Sequence, residues 1–209
     1  LTRLFGAPSA ELLSFDEHVL SRFRRDLDLL ENEPRKHGED DQARLGRKLA
    51  ARDAHGLVLV RDNDQSSRRA HGDRRTAIER GFAEAYAQGH VVPAVLALAI
   101  ECIEAWALAD PDAWLHVFGK VPTRPADPEA LWGDWRTSTS NHPKSVLRRC
   151  FEEIGRSPDG NAVAKLLEHA SLDLVAARCP RGFGQFVTDL RRAFPRIVCV
   201  VAASADRAI

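Results

Sequence analysis

The chain has no methionine, no net charge (30 Lys+Arg against 30 Asp+Glu) and only four cysteines in 209 residues. Zero net charge excludes a global attraction to nucleic acid or to an anionic membrane, so binding of either kind must use a local patch. Cys102, Cys150, Cys179 and Cys199 are far apart and never form C-x-x-C. That spacing argues against a disulfide framework or a zinc knuckle and leads us to expect reduced, buried thiols in a cytoplasmic protein. The longest apolar run, 91–100, is about half of what a membrane span needs, so no membrane partner is expected. Neither a P-loop nor G-x-G-x-x-G occurs, and a nucleotide would find no glycine-rich backbone cradle. Because the chain opens at Leu1 without methionine, we expect the natural start, with room for a further strand, to lie upstream.

What is present reads as α/β. A chain of this length suits one domain that buries about 70% of its unfolded surface. Ser14 and Glu17 have capping-box spacing ahead of Phe15, Val19, Phe23, Leu27 and Leu30, an amphipathic helix. A polar loop (31–41) and a second helix (42–52) follow. The short apolar run 56–60 predicts a strand buried on both faces, 74–88 a helix, and 91–100 a second buried strand with Pro93 near its start. Strand, helix, strand at this spacing is a βαβ unit with parallel strands. From Glu101 the pattern turns helical through Trp114, a Pro-rich loop carries Trp132 and Trp135, and helices are predicted from Pro143 to near Gly155, over 161–169 and over 184–194. Residues 197–202 read as a last strand or a buried tail. The four tryptophans read best as core, with Trp132 and Trp135 pinning the loop across the site; base stacking is the alternative. This divides the chain into an α/β core (1–120) and a mostly helical extension (121–209).

Both predicted strands end in acid. Asp62 and Asp64 flank Asn63 after the first, with carboxylates about 6 to 7 Å apart along the chain, close enough to reach one hard divalent cation. Asp and Asn are also ordinary turn formers. Glu101 and Glu104 follow the second strand at i, i+3, where acidic residues also suit a helix start. Parallel strands bring both clusters to one sheet edge, where such folds bind ligands. Four carboxylates meeting there ask for a cation or a raised pKa. Arg68, Arg69, Arg74 and Arg75, with His71 among them, form the local basic patch. Its alternatives are a phosphate-steering surface and a solvated helix start.

The segments V-L-V-R-D-N-D (58–64) and E-C-I-E-A-W-A-L-A-D (101–110) are followed by Pro128-Glu129, His142-Pro143-Lys144-Ser145, Asp173, Cys179-Pro180 and Phe186. Over roughly residues 55–190 these motifs resemble an uncharacterised bacterial family of Toprim-like proteins. The resemblance implies a three-layer α/β/α parallel-sheet core and Mg²⁺ (or Mn²⁺) held by a D-x-D. It also implies a glutamate after the first strand that serves in cutting or joining phosphodiesters. Asp62 and Asp64 match the D-x-D. Nothing before residue 50 matches the glutamate. Either it lies upstream of Leu1, or Glu101 and Glu104 stand in for it, or the site is inactive.

The expected activity is therefore metal-assisted hydrolysis of nucleic acid. Asp62 and Asp64 would be ligands, Glu104 a further ligand or general base, and Glu101 its assistant. Lys144, Arg148 or Arg149, with Arg68 and Arg69, would meet the phosphate. The competing readings are a non-catalytic interaction protein that binds another protein or its own copy, and a metal-dependent phosphotransfer enzyme acting on nucleotides.

Overall fold

Leu57–Arg61 forms strand β1 and Ala94–Leu98 strand β2, paired in parallel as a two-stranded sheet. The computed structural model describes residues 57–63, 68–89 and 93–194; the predicted helices within 14–52, Asp64 and the segment 197–202 lie outside them. Pairing continues one step past β2, where Ala99 N–H donates to Arg61 O at 3.0 Å. Val95, Leu96, Ala97 and Leu98 are all buried, as expected of a strand covered on both faces. At its far end β2 stops before Ile100, where the chain already bends away.

Helix α1 (Arg68–Ala87) starts six residues before the expected Arg74 and runs straight through Gly72. One interior glycine costs about 1 kcal/mol, too little to stop a 20-residue helix. The predicted single helix from Glu101 to Trp114 is instead two, α2 (Glu104–Ala107) and α3 (Pro111–Phe118). Pro111 cannot continue α2. It takes the first position of α3, while Asp110 Oδ1 caps it by accepting from Asp112 N–H at 2.8 Å and Ala113 N–H at 3.3 Å. Beyond a short 3₁₀ turn (Pro128–Ala130) come α4 (Pro143–Glu153), α5 (Gly160–His169), α6 (Leu172–Arg178), a π turn (Pro180–Gly184) and α7 (Gln185–Ala193). The start of α4 and the span of α5 agree with the sequence pattern. Helix α6 was not predicted; it is capped by Ser171, whose Oγ accepts from Leu174 N–H at 3.4 Å.

The described residues fall into two compact units, one of 57–58, 75–89, 93–95 and 189–194, the other of 59–63, 68–74 and 96–188. In the first, Ile78, Ala85 and Leu190 are buried, and Arg75 Nη1 reaches Glu79 at 2.7 Å and Asp189 at 3.1 Å. In the second, Trp114, Phe118 and Phe151 form an aromatic cluster with ring centroids 4.9 to 5.7 Å apart. Trp106, Phe183 and Phe186 form another. Trp106 and Trp114 are core, as read from the sequence. Trp132 and Trp135 are not: they are 57% and 52% exposed, because the loop that carries them hangs from α4 by its backbone. Among the described residues no helix is long and apolar enough to cross a membrane.

Candidate functional site

Within the second unit the chain leaves β1 at Asp62, whose Oδ1 accepts from Ile103 N–H at 2.8 Å. This bond ties the end of β1 to the segment after β2. Arg74 of α1 holds the same turn from behind, donating Nη1 to Asp62 O at 3.1 Å and also to Asn63 O. His71, buried one turn earlier, lies 3.2 Å by its Nε2 from Leu98 O. Two members of the basic patch therefore bind backbone carbonyls. Arg75 engages carboxylates, and the side chains of Arg68 and Arg69 lie outside the description.

Cys102 marks where the two acidic clusters meet. Burial above all pushes its thiol well above the ordinary range, reinforced by the charge of Glu104, an S–H hydrogen bond to Glu104 and the charge of Asp62. Lys144 acts in the opposite direction. The thiol hydrogen-bonds to Glu104 and feels the charge of Asp62, and Lys144 Nζ stands 4.0 Å from Glu104 Oε1. Glu104 and Lys144 side chains are 27% and 36% exposed, so solvent and solutes reach them.

Glu101 is placed differently. Its Oε1 lies 3.7 Å from His142 Nε2, with the two side chains 7% and 4% exposed. His142 Nδ1 accepts from Lys144 N–H at 3.1 Å and caps α4. Glu101 therefore anchors the cap that sets Lys144 in place, whereas Glu104 meets the lysine itself. Arg148 follows Lys144 by one turn on the same face of α4. Arg149 is held by the loop, donating to Ser138 O at 2.6 Å and Ser140 O at 2.8 Å.

Glu129 was singled out only as part of a landmark pair, yet its side chain is fully buried. Oε1 accepts from Gly182 N–H at 2.6 Å and Oε2 from Arg181 N–H at 2.9 Å. Arg181 Nη2 returns to Glu129 O at 2.9 Å. A Cβ at Gly182 would lie 2.8 Å from Glu129 Oε1 and 3.1 Å from Leu98 O, so only glycine lets the π turn close against the end of β2. Burial pushes the Glu129 carboxyl above the usual carboxylate range, against the pull of the Arg181 and Gly182 N–H groups and the Arg181 charge. No local sequence signal distinguishes this glutamate from a surface one. Its burial depends on a turn 52 residues downstream.

Among the described residues no group of three or more His, Cys, Asp and Glu is arranged to hold a metal ion. Asp62 and Glu104 supply two carboxylates, and Asp64 lies outside the description. Asn63 is fully buried, with neither Oδ1 nor Nδ2 hydrogen-bonded among the described residues. Carboxylate and amide oxygens are hard donors that suit Mg²⁺ or Mn²⁺ rather than zinc.

No curated protein and no solved structure matches the chain. Residues 7–191 match the family described as Domain of unknown function (DUF4276). That match takes in β1, β2, the acidic edge, the Glu129 turn and nearly all of α7, and the chain belongs to that family.

Proposed function

We propose that this chain is a divalent-cation-dependent phosphodiesterase acting on nucleic acid, built on a three-layer, Toprim-like α/β/α core. The observation that carries the reading is that Asp62, at the end of β1, accepts from Ile103 N–H at 2.8 Å, one residue before Glu104, which has Lys144 Nζ 4.0 Å away. Asp62 and Asp64 would hold Mg²⁺ or Mn²⁺, and the buried amide oxygen of Asn63 suits the same donor set. A cation bound there supplies Lewis-acid polarisation of a phosphoryl oxygen and a lowered pKa for its water.

The chain's own groups have separate tasks. Glu104, partly exposed and at the start of α2, is placed to take a proton from an attacking water. Lys144 offers the fixed positive charge that a phosphate needs as negative charge builds on it. Glu101 works through His142, holding the α4 cap rather than meeting substrate. Arg148 extends the positive face by one helical turn.

A second reading, a non-catalytic interaction module, is favoured by one observation: each described carboxylate of the edge has a protein partner. Asp62 has Ile103 N–H, Glu101 has His142 and Glu104 has Lys144. Cleavage of labelled single- and double-stranded oligonucleotides in Mg²⁺ or Mn²⁺ separates the two. The phosphodiesterase reading expects metal-dependent cleavage that drops at least about 10²-fold in Glu104→Gln and in Lys144→Ala. Wild-type protein that cleaves nothing with either metal leaves the interaction module.

A further inference from the structure

Trp132 and Trp135 lie three residues apart on the loop ahead of α4, both more than half exposed. Exposed indoles usually reflect a loop without fixed structure or a surface awaiting a partner. Here the loop is firmly held. Asp134 Oδ1 accepts from Arg136 N–H at 3.0 Å, and Thr137 N–H donates to Asp134 O at 3.1 Å. Ser145 Oγ, one residue past Lys144, shares its one proton between Thr137 O at 3.1 Å and Trp135 O at 3.3 Å. Arg149 adds its two bonds to Ser138 O and Ser140 O. Gly133, between the tryptophans, has φ +151° and no room for a Cβ beside Ser140 Oγ. The sequence fixes the conformation of this loop, yet spends none of that order on burying the two rings.

We propose that Trp132 and Trp135 form a stacking platform for the unpaired bases of a single-stranded nucleic acid. The surrounding charge favours that occupant. The Arg136 guanidinium stands 5.6 Å from the Trp135 ring centroid, a cation beside an aromatic face, and Lys144 and Arg148 continue positive charge along α4, the helix to which the loop is tied. Stacking faces joined to a positive track are what sequence-tolerant single-strand binding requires, since every base offers a π face and every nucleotide a phosphate. Asp134 and Glu104 are acidic groups along this track; the first has its carboxylate engaged in the turn and the second stands 4.0 Å from Lys144. Because the Trp135 carbonyl is bonded to the residue after Lys144, a strand stacked on the platform would have its backbone delivered to the Asp62 and Glu104 edge. This assignment of substrate class rests on the proposed phosphodiesterase reading for its purpose, but not for its test.

The test is binding without catalysis, in EDTA, on the full chain. Fluorescein-labelled 20-mers of oligothymidylate and oligouridylate and a duplex of equal length are titrated by anisotropy against wild type, Trp132→Ala/Trp135→Ala, and Trp135→Phe. We expect single strands to bind more tightly than duplex, the double variant to lose about 10- to 100-fold, and Trp135→Phe to retain most of the affinity. In wild type, oligonucleotide should also protect part of the tryptophan fluorescence from iodide quenching, a readout that needs no variant. Single-strand binding that is absent, or equal in the double variant with no protection from iodide, overturns the platform. The two readings fail separately: tight, tryptophan-dependent binding without cleavage in Mg²⁺ or Mn²⁺ would sink the phosphodiesterase alone, and cleavage indifferent to both tryptophans would sink the platform alone.

Discussion

Glu101 and His142 face each other across 3.7 Å, buried together at the point where the chain leaves β2 and enters α4. The imidazole accepts the Lys144 N–H on its other nitrogen. One side-chain pair therefore fixes the first turn of α4 and, through it, the lysine beside Glu104. Acidic residues three apart in sequence have divided their work, Glu101 on architecture and Glu104 on the solvent-reachable edge.

Breaking that pair should cost stability. His142→Ala removes the α4 cap, about 1 kcal/mol, and takes a buried polar neighbour from Glu101, for a combined loss of about 2 kcal/mol. Urea unfolding checks this. A loss within about 0.5 kcal/mol of zero, the range of an ordinary surface substitution, would mean the contact is incidental.

Glu129 gives a pH signature. Its folded pKa is raised, so the folded state holds the proton to higher pH than the unfolded chain does. Its contribution to stability is present below the ordinary carboxylate value and is lost as pH rises through the folded value. Glu129→Gln should flatten that decline. It should also lower stability at every pH, by about 1 to 3 kcal/mol, because an amide NH₂ must face the Arg181 or Gly182 N–H. Melting curves from pH 4 to 8 test the sign: if wild type instead gains stability across the window relative to Glu129→Gln, the carboxylate is held charged and the assignment is wrong.

The thiols should be silent until the protein unfolds. Cys102, Cys150 and Cys179 are buried. Burial pushes Cys150 up to about 11 and the other two higher still. Native protein at pH 8 should therefore show at most one reactive thiol, Cys199, toward an aromatic disulfide reagent, and four in denaturant. Rapid modification of Cys102 in native protein would contradict its burial beside Glu104.

Lys144→Ala and Lys144→Gln separate charge from packing at the edge. If Lys144 steadies a phosphate, kcat for oligonucleotide cleavage should fall about 10²-fold in both, with the melting temperature nearly unchanged, since a partly exposed ion pair contributes about 0 to 1 kcal/mol. An equal loss of melting temperature and activity would make the lysine structural.

Much of the fold was legible in the sequence. The apolar runs ending at Val60 and Ile100 are too short for helices of ordinary length, which leaves parallel strands. Only the second is buried, from Val95 on: in β1 Leu59 is buried and Val60 is 43% exposed, so the expectation of burial on both faces fails there. The Pro143 start of α4 and the Gly-bounded helices were equally plain. Pro111 was also visible, but the apolar spacing through Trp106 and Trp114 suggested one helix and concealed the stop signal at Asp110-Pro111. The edge itself was readable as acid after strand. What could not be read was which acid turns inward. Glu101 and Glu104 have the same local pattern, and their difference is made by His142 and Lys144 about 40 residues on. Glu129 was hidden for the same reason, being buried by a distant turn, and Trp132 and Trp135 ran against the usual rule that tryptophan is covered.

The central claim is that Asp62 belongs to a cation-binding edge, and calorimetric titration of the full chain with Mn²⁺ and Mg²⁺, wild type against Asp62→Asn, tests it most directly. Asparagine keeps an oxygen to accept the Ile103 N–H, so the variant should melt with wild type while losing the charge a cation needs. The account predicts saturable binding to wild type that is weakened at least about tenfold in Asp62→Asn; no binding to wild type, or equal binding to both, would contradict it.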